Sequence, residues 1–140
     1  LAAASRLFLH EIEDCIAARQ DFAFETTLAG RGYLKLIDRL QATDWRVELI
    51  YLALPSAEMS RLRVAERVAH GGHNIPDADV ARRFPRSLYN LLNIFAPKTD
   101  QTLCFMNSGA LPELIFQQTG ATREILHPDF FARLQQEAQP

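Results

Sequence analysis

The stretch Trp-Arg-Val-Glu-Leu-Ile-Tyr-Leu-Ala-Leu, residues 45–54, decides the fold class. It alternates between apolar and polar residues at first and is continuously apolar from residue 49 onward. This pattern is typical of a strand that is buried on both faces of a parallel sheet. Pro55 is expected to end the strand, because proline cannot donate a ladder hydrogen bond. Ser56 is suited to cap the helix that follows.

The segments on either side alternate between helical and strand patterns. Apolar residues at helical spacing predict helices over residues 7–19, 33–41, 57–70, 77–95 and 128–138. Short apolar or alternating runs predict further strands over residues 21–25, 102–106 and 114–117. A proline removes one helix hydrogen bond, so a kink or break is expected at Pro85. This order predicts a single α/β domain over residues 1–140 with a mostly parallel, layered sheet.

Composition sets broad limits on the function. The chain has 140 residues, a net charge of −2 and a charged share of 23%, which is typical of one globular domain. No apolar run approaches the roughly 20 residues of a membrane span, so we expect no membrane partner. The two cysteines, Cys15 and Cys104, are far apart in sequence, which favours a reducing, cytoplasmic location.

Basic charge is concentrated in one part of this acidic chain. Residues 61–86 contain six arginines and three acids, a local net charge of +3. These arginines are Arg61, Arg63, Arg67, Arg82, Arg83 and Arg86. Arginine is suited to bidentate contact with phosphate, so the cluster predicts an anionic ligand. The alternative is a solvated helix face laced with salt bridges, and nucleic-acid binding is not favoured because the chain as a whole is acidic.

The cluster spans two helices that a glycine-rich segment joins. Arg63 and Arg67 share one face of the first helix, because residues four apart are neighbours on a helix. Gly71-Gly72-His73-Asn74-Ile75-Pro76 follows as a flexible connection. The pattern over residues 56–95 predicts an arginine-rich lid that closes over a phosphate group.

A second group of polar residues follows the 21–25 segment. Glu25, Thr26 and Thr27 come directly before a turn that contains Gly30 and Arg31. If the segment is a parallel strand, these residues lie at the sheet edge where ligands bind. The alternative is that Glu25 pairs with Arg31 and that the threonines cap the next helix. Asn107 and Ser108 follow the strand at 102–106 and are expected at the same edge.

Several stretches together resemble the zeta-toxin-like family of P-loop kinases and its relatives known as predicted ATPases. The matching stretches are Phe22 to Arg31, Arg63 to Val68, Gly71 to Pro76, Arg82 to Leu88, and Asn107-Ser108-Gly109. The resemblance implies a three-layer, parallel-sheet, P-loop kinase-like fold. It also implies a kinase that uses ATP and Mg²⁺ and phosphorylates a small molecule, in some members UDP-N-acetylglucosamine. A toxin–antitoxin role with an antitoxin partner is a further implication.

The resemblance also implies residue roles. Glu25, Thr26, Thr27 and Arg31 would contact the phosphate acceptor. Arg67, Arg82 and Arg83 would be the catalytic lid arginines on the ATP phosphates, with Arg63 and Arg86 beside the nucleotide. Asn107 and Ser108 would lie near the adenine. The chain itself supplies no metal ligand set in this interpretation.

The residues depart from the family at its phosphate-binding loop. No Gly-x-x-x-x-Gly-Lys-Ser/Thr pattern occurs in the 140 residues, and the first residue is Leu. We therefore expect an N-terminally truncated kinase domain that is inactive in isolation, with sheet edges that favour a homodimer. The competing hypothesis is a non-catalytic module that binds a nucleotide, another anion or a partner protein.

Overall fold

A single four-stranded sheet forms the centre of the molecule. The computed structural model describes residues 2–72 and 75–140. The strands of the sheet are β1 (Glu48–Ala53), β2 (Gln101–Met106), β3 (Glu113–Thr119) and β4 (Thr122–Ile125). They are arranged in the order β1-β2-β3-β4, so strands that follow one another in sequence are also neighbours in the sheet.

The described residues also form five α-helices. They are α1 (Ala2–Ala17), α2 (Leu34–Ala42), α3 (Ala57–Ala69), α4 (Asp77–Asn90) and α5 (Pro128–Glu137). A π-helical turn, Leu91–Phe95, continues directly from α4. No helix in the described part of the chain has the length and apolar character needed to cross a bilayer.

The mixed α/β class is confirmed, but the predicted mostly parallel sheet is wrong. Only β1 and β2 are parallel, whereas β2–β3 and β3–β4 pair antiparallel. The reason is the length of the connections, because a parallel crossover needs a dozen or more residues. β3 and β4 are joined by a tight hairpin in which Gly120 has a φ of +57°.

Strand β1 is open on one face, contrary to the expected burial of both. Leu49, Tyr51 and Ala53 face the core, where Ala53 packs in one cluster with Leu88 of α4. The intervening Ile50 and Leu52 are 65% and 56% exposed. The described helices therefore cover only the inner face of this strand.

The predicted strand at residues 21–25 is also wrong, since this segment has no strand pairing. Its two phenylalanines are held by aromatic contacts instead of by a ladder. The Phe22 ring lies 5.7 Å from Trp45 and the Phe24 ring 4.8 Å from Tyr33, between ring centroids. Side-chain packing therefore explains the alternation of the sequence without a strand.

Helix α4 continues through Pro85 without a break. The carbonyl of Pro85 accepts a hydrogen bond from the backbone of Gln139 at 3.0 Å, in the segment after α5. The irregularity appears further along, at the π-helical turn that begins at Leu91. The expected break at Pro85 is therefore absent from α4, and the Pro85 carbonyl bonds to the chain after α5.

Candidate anion-binding site

A small cavity lies at the carboxyl end of β1, between α3 and α4. Its volume is about 200 Å³. Six polar residues line it, and they are Arg67, Arg83, Thr27, Tyr51, Ser60 and Ser87. No acidic side chain lines it among the described residues. Arginine side chains carry positive charge and donate hydrogen bonds, so this lining is suited to an anion.

Arg67 and Arg83 come from different helices, α3 and α4, and meet at this cavity. Within residues 2–72 and 75–140, neither forms an ion pair with an acidic side chain. Their charges are therefore not neutralised by the described protein groups. The structure thus brings together two of the three predicted catalytic lid arginines.

The other arginines of the cluster lie away from the cavity. Arg82 pairs with Asp79 at 3.0 Å, between Nη2 and Oδ1. Arg61 pairs with Glu58 and lies 3.9 Å from Asp77, which links α3 to α4. For Arg61 and Arg82 the salt-bridge interpretation of the sequence is therefore the one observed.

Arg63 and Arg86 are exposed and do not line the cavity. They carry the same charge as Arg67 and Arg83 and lie on the same two helices. This difference in position makes them natural controls for the cavity arginines.

The geometry at the end of α3 fixes the position of Arg67. Ser56 caps the start of the helix, as expected, by accepting a hydrogen bond from the Met59 backbone at 3.2 Å. At the other end Gly71 adopts a φ of +93°, a value that side chains strongly disfavour. The Gly72 backbone then donates to the Arg67 carbonyl at 2.6 Å. His73 and Asn74, which belong to the predicted flexible connection, lie outside the described residues.

Thr26 and Thr27 form a tight turn rather than a helix cap. The Thr26 hydroxyl oxygen accepts from the Leu28 backbone at 3.2 Å, and that of Thr27 accepts from the Ala29 backbone at 3.4 Å. Leu28 itself is buried and has a φ of +62°. Within the described residues neither hydroxyl donates to a protein group, so its hydrogen is available for a ligand oxygen.

Two side chains of α4 hold this turn in place. Ser87 Oγ donates to the Thr27 carbonyl at 2.6 Å, and Asn90 Nδ2 donates to the Leu28 carbonyl at 2.8 Å. The Tyr51 hydroxyl lies 2.7 Å from Ser87 Oγ. Because Ser87 uses its hydrogen on Thr27, Tyr51 is the donor to Ser87. Sequence reasoning missed these three residues, although Ser87 and Asn90 stand out as polar residues beside the apolar Leu88 and Leu91.

Burial raises the pKa of Tyr51 to about 12, and the neighbouring Cys104 adds to this effect while the hydrogen bond with Ser87 opposes it. Tyr51 is therefore neutral at physiological pH. It acts as a fixed hydrogen-bond donor and not as a base.

The remaining predicted site residues are not brought to the cavity. Glu25 and Arg31 are exposed, and no ion pair joins them in the described structure. The Asn107 backbone donates to the Ala53 carbonyl at 2.8 Å, which places the start of the loop after β2 beside the end of β1. Ser108 is exposed, and neither Asn107 nor Ser108 lines the cavity.

A larger groove of about 660 Å³ runs between β1, α2 and the 19–28 segment. Its lining includes five aromatic residues, Phe22, Phe24, Tyr33, Trp45 and Phe95. Thr26 lines this groove, whereas Thr27 lines the cavity with the arginines. The two threonines therefore face different spaces.

The donor set fits an anion better than a metal ion. In the described part of the chain, no group of three or more His, Cys, Asp or Glu side chains is placed to hold a metal. Two arginines without acidic partners offer hydrogen-bond donors, which a phosphate can accept and a cation cannot. A phosphate group of ATP is thus compatible with the residues that line the cavity.

Comparison with known proteins adds no assignment. No protein-family profile, curated protein or solved structure matches this chain.

Proposed function

We propose that this chain is the substrate-and-lid portion of an ATP-dependent phosphotransferase of the zeta-toxin-like type. In this proposal Arg67 and Arg83 hold a phosphate group in the cavity between α3 and α4. The observation that carries the proposal is their meeting there without acidic partners. Phosphoryl transfer relies on positioning and on positive charge around the transferred group, which such a pair supplies.

The proposal includes the finer fold that the resemblance implies, a three-layer P-loop kinase-like domain, in which β1 and β2 would belong to the parallel part of the sheet. The parallel pairing of β1 with β2 supports a three-layer fold. Parallel strands are almost always covered on both faces, and the described helices cover only one face of β1. The exposed Ile50 and Leu52 would then face a further layer. The phosphate-binding loop, and with it the Mg²⁺ site, would come from residues other than these 140.

The roles of the other residues remain part of this proposal. Thr27 would donate its hydroxyl to the phosphate or to the acceptor, which in some relatives is UDP-N-acetylglucosamine. Thr26, Glu25 and Arg31 would contact the acceptor from the exposed side of the same turn. Arg82 pairs with Asp79 in this structure. Closure of the lid would have to break this ion pair before Arg82 could contact the phosphates.

Phosphate binding by matched arginine variants tests the core of the proposal. We expect Arg67→Ala and Arg83→Ala each to raise the Kd for ATP and for inorganic phosphate by about tenfold or more, which corresponds to a lost charge-assisted hydrogen bond. Arg63→Ala and Arg86→Ala make the same change in charge away from the cavity. Equal losses in all four variants would indicate nonspecific attraction and would overturn the site.

The non-catalytic module is the second candidate, and the cavity itself favours it equally. Measuring the N-terminus and the intact mass of the native gene product distinguishes the two candidate functions. A product that carries a glycine-rich loop ending in Lys-Ser or Lys-Thr, and that loses turnover in Arg67→Ala and Arg82→Ala, supports the kinase. A product that lacks such a loop, yet binds nucleotide in a salt-dependent way, supports a non-catalytic module that binds an anion or a partner such as an antitoxin.

A further inference from the structure

We propose that Ser87 and Asn90 are positioning residues of the anion site, which hold the Thr26–Ala29 turn so that the Thr27 hydroxyl faces the same cavity as Arg83. This inference rests on the proposed function, because it concerns how the same site is assembled. It assigns a role to two residues that the sequence did not single out as candidate site residues.

Both side chains are polar groups in the interior, where burial is costly unless hydrogen bonds are made. Ser87 is 7% exposed and Asn90 is 1% exposed. Ser87 donates a hydrogen bond to the Thr27 carbonyl, and Asn90 donates one to the Leu28 carbonyl. Both carbonyls belong to the same turn, more than 55 residues away in sequence. Two independent contacts to adjacent carbonyls fix both the position and the orientation of the turn.

The turn also needs such support. Leu28 has a φ of +62°, a left-handed conformation that residues with a side chain disfavour. Strained backbone persists only where the surroundings determine it, and it is found most often at functional sites. Here the hydrogen bonds from Ser87 and Asn90 and the burial of Leu28 hold the backbone in this conformation.

The register of α4 links the turn to the arginine. Arg83, Ser87 and Asn90 are spaced i, i+4 and i+7, so they share one helix face. One rigid helix therefore presents a cation to the cavity and holds the turn that presents a hydroxyl to it. The Tyr51 hydroxyl, which donates to Ser87, connects the arrangement to β1.

A positioning role makes a prediction that an ordinary packing role does not. If Ser87 acts on the ligand through Thr27, then removing the Thr27 hydroxyl should also remove the effect of Ser87. Thr27→Val keeps the shape of the side chain and deletes its hydroxyl, together with the hydrogen bond that this oxygen accepts from the Ala29 backbone. A double-mutant cycle measures this dependence directly.

The experiment measures the Kd for inorganic phosphate in the 140-residue chain, with folding checked by circular dichroism. We expect Ser87→Ala and Asn90→Ala each to weaken binding by about tenfold, and amide exchange at Leu28 and Ala29 to accelerate. In the Thr27→Val background, Ser87→Ala should change the Kd by less than about twofold. Asn93→Ala removes an exposed amide that bonds only to the Tyr89 carbonyl, and it should bind phosphate as the wild type does.

Each outcome has a defined meaning. If the losses in Ser87→Ala and Thr27→Val are additive, or if Ser87→Ala binds normally while Arg67→Ala does not, the positioning role is overturned and the anion site stands. If the wild-type chain does not bind phosphate, both proposals fail. Should Ser87→Ala not fold, the same cycle is run with Asn90→Ala.

Discussion

Gly72 is the residue on which the placement of Arg67 depends most directly. A Cβ atom at this position would lie 2.9 Å from the Arg67 carbonyl oxygen and 3.1 Å from its carbonyl carbon. Both obstacles are backbone atoms, which cannot rotate away as a side chain can. The close contact is part of the bend that turns the chain away from α3.

We therefore expect Gly72→Ala to lower the free energy of unfolding by about 1–3 kcal/mol, the usual cost of overpacking. It should also weaken phosphate binding, because the last turn of α3 must shift. Urea unfolding followed by circular dichroism, together with the phosphate Kd, measures both effects. Gly109→Ala is the matched control, since no atom lies within 4 Å of a Cβ there. A Gly72→Ala protein as stable as the wild type would show that the bend tolerates a side chain.

At the scale of elements, the two faces of β1 differ sharply. Ile50 and Leu52 are more than half exposed, whereas Met106 on the paired strand β2 is fully buried. A charge on the open face stays in water, and a charge on the inner face does not.

Ile50→Lys and Leu52→Lys should each change the free energy of unfolding by less than about 0.5 kcal/mol. Met106→Lys should cost more than about 4 kcal/mol or prevent folding, and Met106→Ala about 2–5 kcal/mol. Chemical unfolding of the four variants tests this contrast. A large loss in Leu52→Lys would mean that the outer face is covered in solution.

Elements with strong periodicity were predicted correctly, and their pairing was not. The spacing of apolar residues located all five α-helices, and the strands at 102–106 and 114–117 were also found. Strand β4 was missed, although the hairpin signal was present as Thr-Gly-Ala-Thr at residues 119–122. Pairing direction depends on the length of each connection, and the alternation of residues within a strand carries no information about it.

The residues of the candidate site were predictable only in part. Arginine clusters are visible in a sequence, but which arginines meet depends on how α3 and α4 pack. Arg67 and Arg83 face the cavity while Arg82, adjacent to Arg83, pairs with Asp79. Ser87 and Asn90 act through long-range contacts, which local sequence patterns do not encode.

At the scale of the whole molecule, two buried acids make the fold sensitive to alkaline pH. Tyr51 and Cys104 lie opposite each other in the β1–β2 register. Burial raises the pKa of each to about 12, from ordinary values of 10.0 and 9.0. Above pH 9 the unfolded chain therefore loses protons that the folded chain retains.

The sign of the effect follows from this difference in bound protons. Because the folded state binds more protons between pH 9 and pH 12, the free energy of unfolding falls as pH rises through this window. Each group contributes a slope of at most about 1.4 kcal/mol per pH unit, and the contribution of Tyr51 begins at a higher pH because its ordinary pKa is 10.0 rather than 9.0. The stability that these two groups provide is fully present below about pH 9.

Urea unfolding at intervals from pH 8 to pH 11 measures this slope, and Cys104→Val isolates the larger part of it. The substitution removes the titrating thiol while it keeps a small apolar side chain in the core, so the decline above pH 9 should become shallower. Cys15→Ser, which changes the partly exposed cysteine of α1, should retain the wild-type slope. If Cys104→Val retained the full slope as well, the alkaline loss would have to come from other groups, and the burial of Cys104 beside Tyr51 would not be its cause.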